Sequence, residues 1–310
     1  MGISIGLITL TLSITLLYLT QKYFLRNNIV DSINARSSHK VIATRSGGIG
    51  IFLSLCFISF YHYVNQIEIF NFSLVIPLSI LLLVGLYDDL HEVDFKLKFL
   101  FQIITAKILI DNGFVIDNFH GMLGINELNR VFAQGFSIFI IVAIINSINF
   151  IDGIDGLAAS VVSLFIILFH FFALEQTPYN ILSNIILITL IPFFYFNIFS
   201  KNKVFLGDSG SLLLGGVVSI YVLHILSNEY LIIKEYDINK ILFVISILSY
   251  PIVDIVRIFF LRVYKGRSPF IADKNHIHHL VLNQSKSHIK TTFIIVIASI
   301  LVTILIQLLF

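Results

Sequence analysis

Ten apolar runs of roughly membrane-crossing length, separated by short polar loops, dominate this sequence. Backbone polar groups cannot be left unpaired in hydrocarbon, so such a chain is restricted to helices or a closed barrel. A bilayer core of about 30 Å takes roughly 20 apolar residues per helix, and the runs have helical rather than strand length. The predicted spans are Ile3 to Leu19, Gly47 to Val64, Phe72 to Leu86, Leu97 to Ile110, Val131 to Ile148, Leu157 to Leu174, Ile181 to Phe199, Ser211 to Leu226, Ile241 to Leu261 and Thr291 to Phe310. The fourth is short and carries Lys98 and Lys107, which predicts a tilted or partly interfacial helix. No basic residue precedes the first run and no small-residue cleavage site follows it, so it reads as a membrane helix rather than a secretory signal. The expected fold class is an all-α integral membrane protein of about ten helices, one polytopic domain over residues 1–310.

Composition agrees: 57% of residues are hydrophobic and only 12% charged, far from the balance of a soluble domain. The formal charge of +2 gives no case for nucleic acid. The single cysteine, Cys56, excludes an intrachain disulfide and suggests no thiolate metal site. Pro77, Pro192 and Pro251 fall inside apolar runs and predict kinks. Residues Gly113 to Gly124 read as an external segment with the makings of a short hairpin.

Orientation follows from basic residues in short loops. The loop after span one holds Lys22, Arg26, Arg36, Lys40 and Arg45, and the loop after span three runs into Lys96 and Lys98. Lys201 and Lys203 follow span seven, and Arg262, Lys265, Arg267, Lys274, Lys286 and Lys290 follow span nine. The even-numbered loops have few cations, diluted by carboxylates such as Glu68, Asp117, Glu127 and Asp237. The odd loops are therefore expected in the cytoplasm and both termini outside it.

Those same odd loops carry the chemistry. Span three ends in Asp88-Asp89-Leu90-His91-Glu92, a cluster of carboxylates whose mutual repulsion a divalent cation would relieve; hard oxygen donors suit magnesium, with manganese as the alternative. Between spans five and six, Asn149, Asp152 and Asp155 would share a face if their segment is helical. An aspartate left unpaired in hydrocarbon costs about 2.5–3.5 kcal/mol, so two beside apolar sequence need a reason. Phe205-Leu206-Gly207-Asp208-Ser209-Gly210-Ser211 precedes span eight, where a helix N-terminus accommodates phosphate and its metal; the same residues also make a good helix cap. The last odd loop combines Arg267 with His276, His278 and His279, groups that bind anions or, less readily with no cysteine beside them, a transition metal. Lys286 and Lys290 suit anionic membrane lipid headgroups.

The order of these pieces resembles the polyprenyl-phosphate N-acetylhexosamine-1-phosphate transferases. The likeness runs from His39 to His279 through Ser46-Gly47-Gly48, Asp88-Asp89, Asn146 to Leu157, Phe205 to Ser211, Pro251 to Arg257 with Asp254, and His276-Ile277-His278-His279. It implies a ten-helix enzyme of the bacterial cytoplasmic membrane with its active site facing the cytoplasm. A UDP-N-acetylhexosamine and undecaprenyl phosphate would be its substrates and UMP its product, in the first membrane step of cell-envelope glycan synthesis. By that likeness Asp208, Asp88 and Asp89 are the catalytic and magnesium-binding residues. Asn149, Asp152 and Asp155 would place the nucleotide diphosphate and uridine, with Phe205 near the uracil. The three histidines would bind phosphate or sugar, and the loop cations Lys98 and Arg267 are further candidates for substrate binding. Glu92 departs from the family, which has an aspartate there. Membrane lipids and a second copy of the chain in a homodimer complete the expected partners.

A secondary transporter of an anionic solute is the alternative, since transporters also combine helix-breaking prolines with acidic residues. Against it, the carboxylates sit at span ends rather than mid-membrane, and no repeated halves are visible.

Overall fold

In the computed structural model all residues are described except 1–2, 32–41, 68–69, 92, 120–123, 126, 175, 227–239, 267–274 and 310. Twelve α-helices are found among them: α1 Ile3–Arg26, α2 Gly47–Val64, α3 Val75–His91, α4 Phe95–Asp111, α5 Arg130–Phe150, α6 Leu157–Phe171, α7 Asn180–Phe194, α8 Gly207–Leu226, α9 Lys240–Ile247, α10 Ser249–Tyr264, α11 Ile277–Ser285 and α12 His288–Leu309. The protein is an all-α, multi-pass membrane protein. Every predicted span is helical, but by length and apolarity seven helices qualify as membrane-crossing, or eight if α9 and α10 form one bent span. The shortfall from ten has a physical reason: α6 has 15 residues, and the 17 of α4 include Lys96, Lys98, Lys107 and Asp111.

Helix α8 is the axis of the bundle. Each of its residues except Asp208 is buried, and it packs on α2, α3 and α5. Small residues make this approach possible. A Cβ on Gly215 would lie 2.8 Å from the Ile145 Cα, and one on Gly216 would lie 2.5 Å from Leu81 Cδ1. Lipid gives helices no hydrophobic reason to associate, so contact of this closeness supplies the attraction.

The outer helices show the opposite pattern. On α12 only Thr291, Ile295, Ser299, Thr303 and Gln307 are buried, a single stripe at four-residue spacing. The Thr303 hydroxyl donates to the Ser246 carbonyl of α9 at 3.1 Å. The rest of α12 presents exposed Phe and Leu, as a lipid-facing helix should.

The three prolines behave differently. Pro77 lies in the first turn of α3, where its missing N–H costs little. Pro192 precedes a π-turn over Tyr195–Phe199. Pro251 sits in the first turn of α10, directly after the 78° bend that separates it from α9. Asn118, inside the 113–124 segment expected to form a hairpin, makes an isolated antiparallel bridge with Glu127, beyond that segment's end.

One element had no counterpart in the sequence reading. Two-residue strands β1 (Ala43–Thr44) and β2 (Lys203–Val204) pair in parallel, Ala43 with Lys203 and Thr44 with Val204. The pairing continues as Gly47 and Gly48 donate their backbone N–H groups to the Phe205 and Leu206 carbonyls at 3.0 and 3.1 Å. The first and fourth odd loops are thereby joined at one end of the bundle.

Candidate active site

At that end the last turn of α3 meets the first turn of α8. The four backbone N–H groups that open a helix have no partner within it, and here a carboxylate from another helix supplies one. Asp89 accepts from the Asp208 and Ser209 N–H groups through its two oxygens, both at 3.0 Å, with its side chain 1% exposed. The approach demands glycine on both sides. A Cβ on Gly85 would stand 2.5 Å from the Asp208 carbonyl oxygen, and Gly207, at φ +72°, would place one 2.5 Å from Asp89 Oδ2.

Lys98 reaches in from α4. Its ammonium donates to Asp88 Oδ2 at 2.9 Å and to Asp208 Oδ2 at 2.7 Å. Asp88 also accepts the Val93 N–H at 2.7 Å, which fixes the α3–α4 turn. The charge that marks α4 as a poor membrane helix is thus the charge that holds two of the predicted metal ligands together.

Arg45, in the clamp between β1 and α2, pairs with Asp31 at 2.7 Å and stands 3.7 Å from Asp89. A cavity of about 470 Å³ opens beside this pair, lined by Asp31, Arg45, Asp89 and His91 together with apolar Phe24, Ile29, Val30 and Leu90.

The segment between α5 and α6 is a series of turns, not a helix. The condition for Asn149, Asp152 and Asp155 to share a face is therefore not met, and the three separate. Asn149, in the last turn of α5, donates to Ser211 Oγ at 2.8 Å and faces the Asp208 carboxylate. Asp152 lies within the field of Asp208 and Asp89. Asp155 points elsewhere: it pairs with Lys203 of β2 and with His288 Nδ1 at 3.2 Å, and its carbonyl accepts the Thr292 hydroxyl at 3.1 Å. Burial would raise the Asp155 carboxyl, yet hydrogen bonds from His288 and Lys203 hold it below its usual range. It ties three segments together behind the site.

Loss of solvent, followed by the charges of Asp208 and Asp89, pushes the Asp152 carboxyl up from 3.8 to about 8. A measurable consequence follows. Between those two values the unfolded chain has given up a proton that the folded protein keeps, so stability falls as pH rises across that range and levels above it. In the presence of a chelator, the thermal midpoint of the protein should decline from pH 5 to pH 8. Asp152→Asn should make that decline shallower, and an unchanged slope would show that Asp152 ionises normally.

The histidines pack against the same turns. A Cβ on Gly153 would be 2.9 Å from His278 Nε2 and 3.7 Å from His279 Cε1. His276 Nδ1 lies 2.6 Å from Asp254 Oδ2, and the His278 Nδ1 is 3.0 Å from the Tyr250 hydroxyl. Phe205, half-buried, joins the clamp through its backbone, its N–H donating to the Thr44 carbonyl at 2.8 Å. Arg267 and Glu92 lie outside the described residues.

The structure thus gathers Asp88, Asp89, Lys98, Asn149, Asp152 and Asp208 at one end, with His276, His278 and His279 packed on the same turns. It adds Arg45 and Lys203, which the sequence offered only as loop cations, and His288, for which it offered no signal.

A family model described as glycosyl transferase family 4 matches residues 71–226, half of the chain, spanning Asp88 through Asp208. The chain belongs to glycosyl transferase family 4. Similar proteins of this family include one from Pasteurella multocida, 32% identical over 272 residues, covering 82% of this chain and 71% of the relative. Another, from Haemophilus influenzae, is 31% identical and covers 82% and 72% respectively. A third, from Escherichia coli K12, is 27% identical and covers 90% and 76%. All three carry the name undecaprenyl-phosphate alpha-N-acetylglucosaminyl 1-phosphate transferase. Nothing in these matches supports the transporter alternative.

Proposed function

We propose that this protein transfers a sugar-1-phosphate of the N-acetylhexosamine type from a UDP-sugar to undecaprenyl phosphate, releasing UMP. The observation that carries the reading is the convergence of Asp88, Asp89, Asp152 and Asp208 on one helix N-terminus, with Lys98 and Arg45 beside them. Membership of family 4, and the name its relatives share, set the reaction class.

The donor chemistry suits a divalent cation: Asp88 and Asp208 are hard oxygen donors brought together on the Lys98 ammonium, whose place between them a cation would take. Asp208 and Asp88 would hold magnesium, or manganese, while Asp89 is engaged with the α8 backbone and keeps Asp208 in place. When bound, the ion neutralises diphosphate charge and the charge that develops on the leaving group.

The chain's own residues do the rest. A phosphate oxygen of the lipid attacks the sugar-linked phosphorus, and the bond from that phosphorus to the UMP oxygen breaks. The lipid phosphate is already ionised near neutral pH, so no side chain has to remove a proton from it. Lys98 supplies positive charge against the diphosphate, Asn149 and Asp152 orient it, and Phe205 lies against the uracil. His276, His278 and His279, with Arg267, bind the remaining phosphate or the sugar. Asp155 acts from behind by holding the turns to β2 and α12. The basic odd loops support a cytoplasmic position for this end, in the bacterial cytoplasmic membrane, where nucleotide sugar and lipid acceptor meet.

The test is to incubate purified protein with undecaprenyl phosphate, magnesium and a panel of UDP-N-acetylhexosamines, scoring UMP and lipid-linked product. Product is expected with at least one sugar. Absence of product with all of them, together with solute uptake in vesicles, would reverse the reading.

A further inference from the structure

One face of α10 grips the histidine loop at three successive points. Tyr250, Asp254 and Arg257 occur at the spacing that places side chains on one side of a helix. The Tyr250 hydroxyl meets His278 Nδ1 at 3.0 Å, Asp254 takes His276 Nδ1 at 2.6 Å and the Ile277 N–H at 2.7 Å, and Arg257 donates to the Asn275 carbonyl at 2.7 Å. Asp254 and His278 are each 1% exposed and His276 is 7% exposed.

A carboxylate has only acceptors, so a ring nitrogen 2.6 Å from it carries the hydrogen. His276 is thereby fixed with its proton on Nδ1. Tyr250 completes the pattern. Among the described residues the acceptor for its hydroxyl hydrogen is His278 Nδ1, an arrangement that puts the His278 proton on Nε2. His278 stays neutral, since burial and then the neighbouring His279 and His276 push it down to about 3.

We propose that Asp254 is a positioning residue for the transfer reaction: it sets the His276 tautomer and pins the Ile277 backbone, leaving the His276 Nε2 as the atom offered to substrate. The inference rests on the reading of the histidines as substrate ligands given above. Asp254, His276 and His278 also offer ligand atoms within 4.8 Å of one another, a spacing a transition metal accepts. A metal there would displace the His276 ring or the Ile277 N–H from Asp254, so zinc content and the histidine tautomer distinguish the two roles.

Asp254→Asn separates the possibilities. The amide oxygen can still accept from Ile277 while its N–H₂ faces His276, so the loop stays pinned and the ring must move its proton to Nε2. The expected result is a kcat lower by about 10²-fold with KM for the UDP-sugar changed less than about threefold, as for loss of a group that orients a histidine. Asp254→Glu should recover at least about a tenth of the wild-type kcat. The ¹⁵N resonances of labelled histidine should show a protonated Nδ1 at His276 in the wild type that is lost in Asp254→Asn. A raised KM with unchanged kcat would overturn the proposal, as would an unchanged His276 tautomer. One zinc ion per chain, lost in Asp254→Asn, would overturn it in favour of a metal site. A wild type that transfers no sugar, with the protonated His276 Nδ1 still lost in Asp254→Asn, would refute the proposed function and the catalytic role with it, and leave the tautomer assignment alone standing.

Discussion

Asp208→Asn should reduce sugar-phosphate transfer by about 10³-fold or more, a loss of the size seen when one charge-stabilising group is removed from an active site, while helicity and thermal midpoint stay close to wild type. Asp208 is the one residue of α8 that is not buried, so the helix does not depend on it for packing. Its carboxylate is instead the point where Lys98 and Asn149 meet. Asparagine has the same shape and still accepts from Lys98 through its amide oxygen, but it has no charge with which to hold a divalent ion. The loss should appear in kcat, measured by UMP release and lipid-linked product in the same samples. Turnover within a few-fold of wild type would remove Asp208 from the reaction.

The second large effect concerns two residues without side chains. Gly48→Ala would put a Cβ 2.3 Å from the Gly210 nitrogen, and Gly85→Ala would put one 2.5 Å from the Asp208 carbonyl oxygen. Both obstacles are backbone, so neither can rotate away. Each substitution should destabilise by about 2–3 kcal/mol, near the upper end for overpacking, and should also abolish activity, because the start of α8 has to shift away from Asp89. Gly135 on α5 has open space at its Cβ position. Gly135→Ala should therefore be neutral or stabilise by about 0.5–1 kcal/mol through helix propensity. The midpoints of detergent-solubilised variants decide the matter. Equal midpoints for all three would mean that the α2–α8 and α3–α8 contacts are looser than described.

The membrane helices were legible because hydropathy acts over long windows, and the odd loops because basic residues and carboxylates gather in the same places. Asp88 and Asp89 stood out as adjacent carboxylates at a span end and Asp208 by its place at the start of an apolar run, while their shared role came from the family resemblance. The turn between α5 and α6 was less legible. Asp152 and Asp155 have the spacing of one helical face, but the chain there forms turns and Gly156 takes φ +71°, so one carboxylate enters the site and the other braces it. Ser46-Gly47-Gly48 could be seen as a motif without its purpose, since the helix N-terminus it has to approach lies far along the chain. Nor could the sequence reveal that Lys98, the defect of the fourth span, would sit between two aspartates. That pairing joins α4 to α8, and local pattern carries no information on such distant partners.

The pairing of β1 with β2 bears on how the protein is made. Ala43 and Thr44 leave the ribosome early, among the first loops to emerge, but their partners Lys203 and Val204 follow only after seven helices have been synthesised. Until then the first loop has no strand to join, and Asp89 has no α8 terminus to cap. The nascent protein therefore carries Asp89 without its helix-capping role through most of its synthesis, and this end of the bundle closes late. A chain stalled or truncated before α8 would lack both the helix on which α2, α3 and α5 pack and the N-terminus that Asp89 caps.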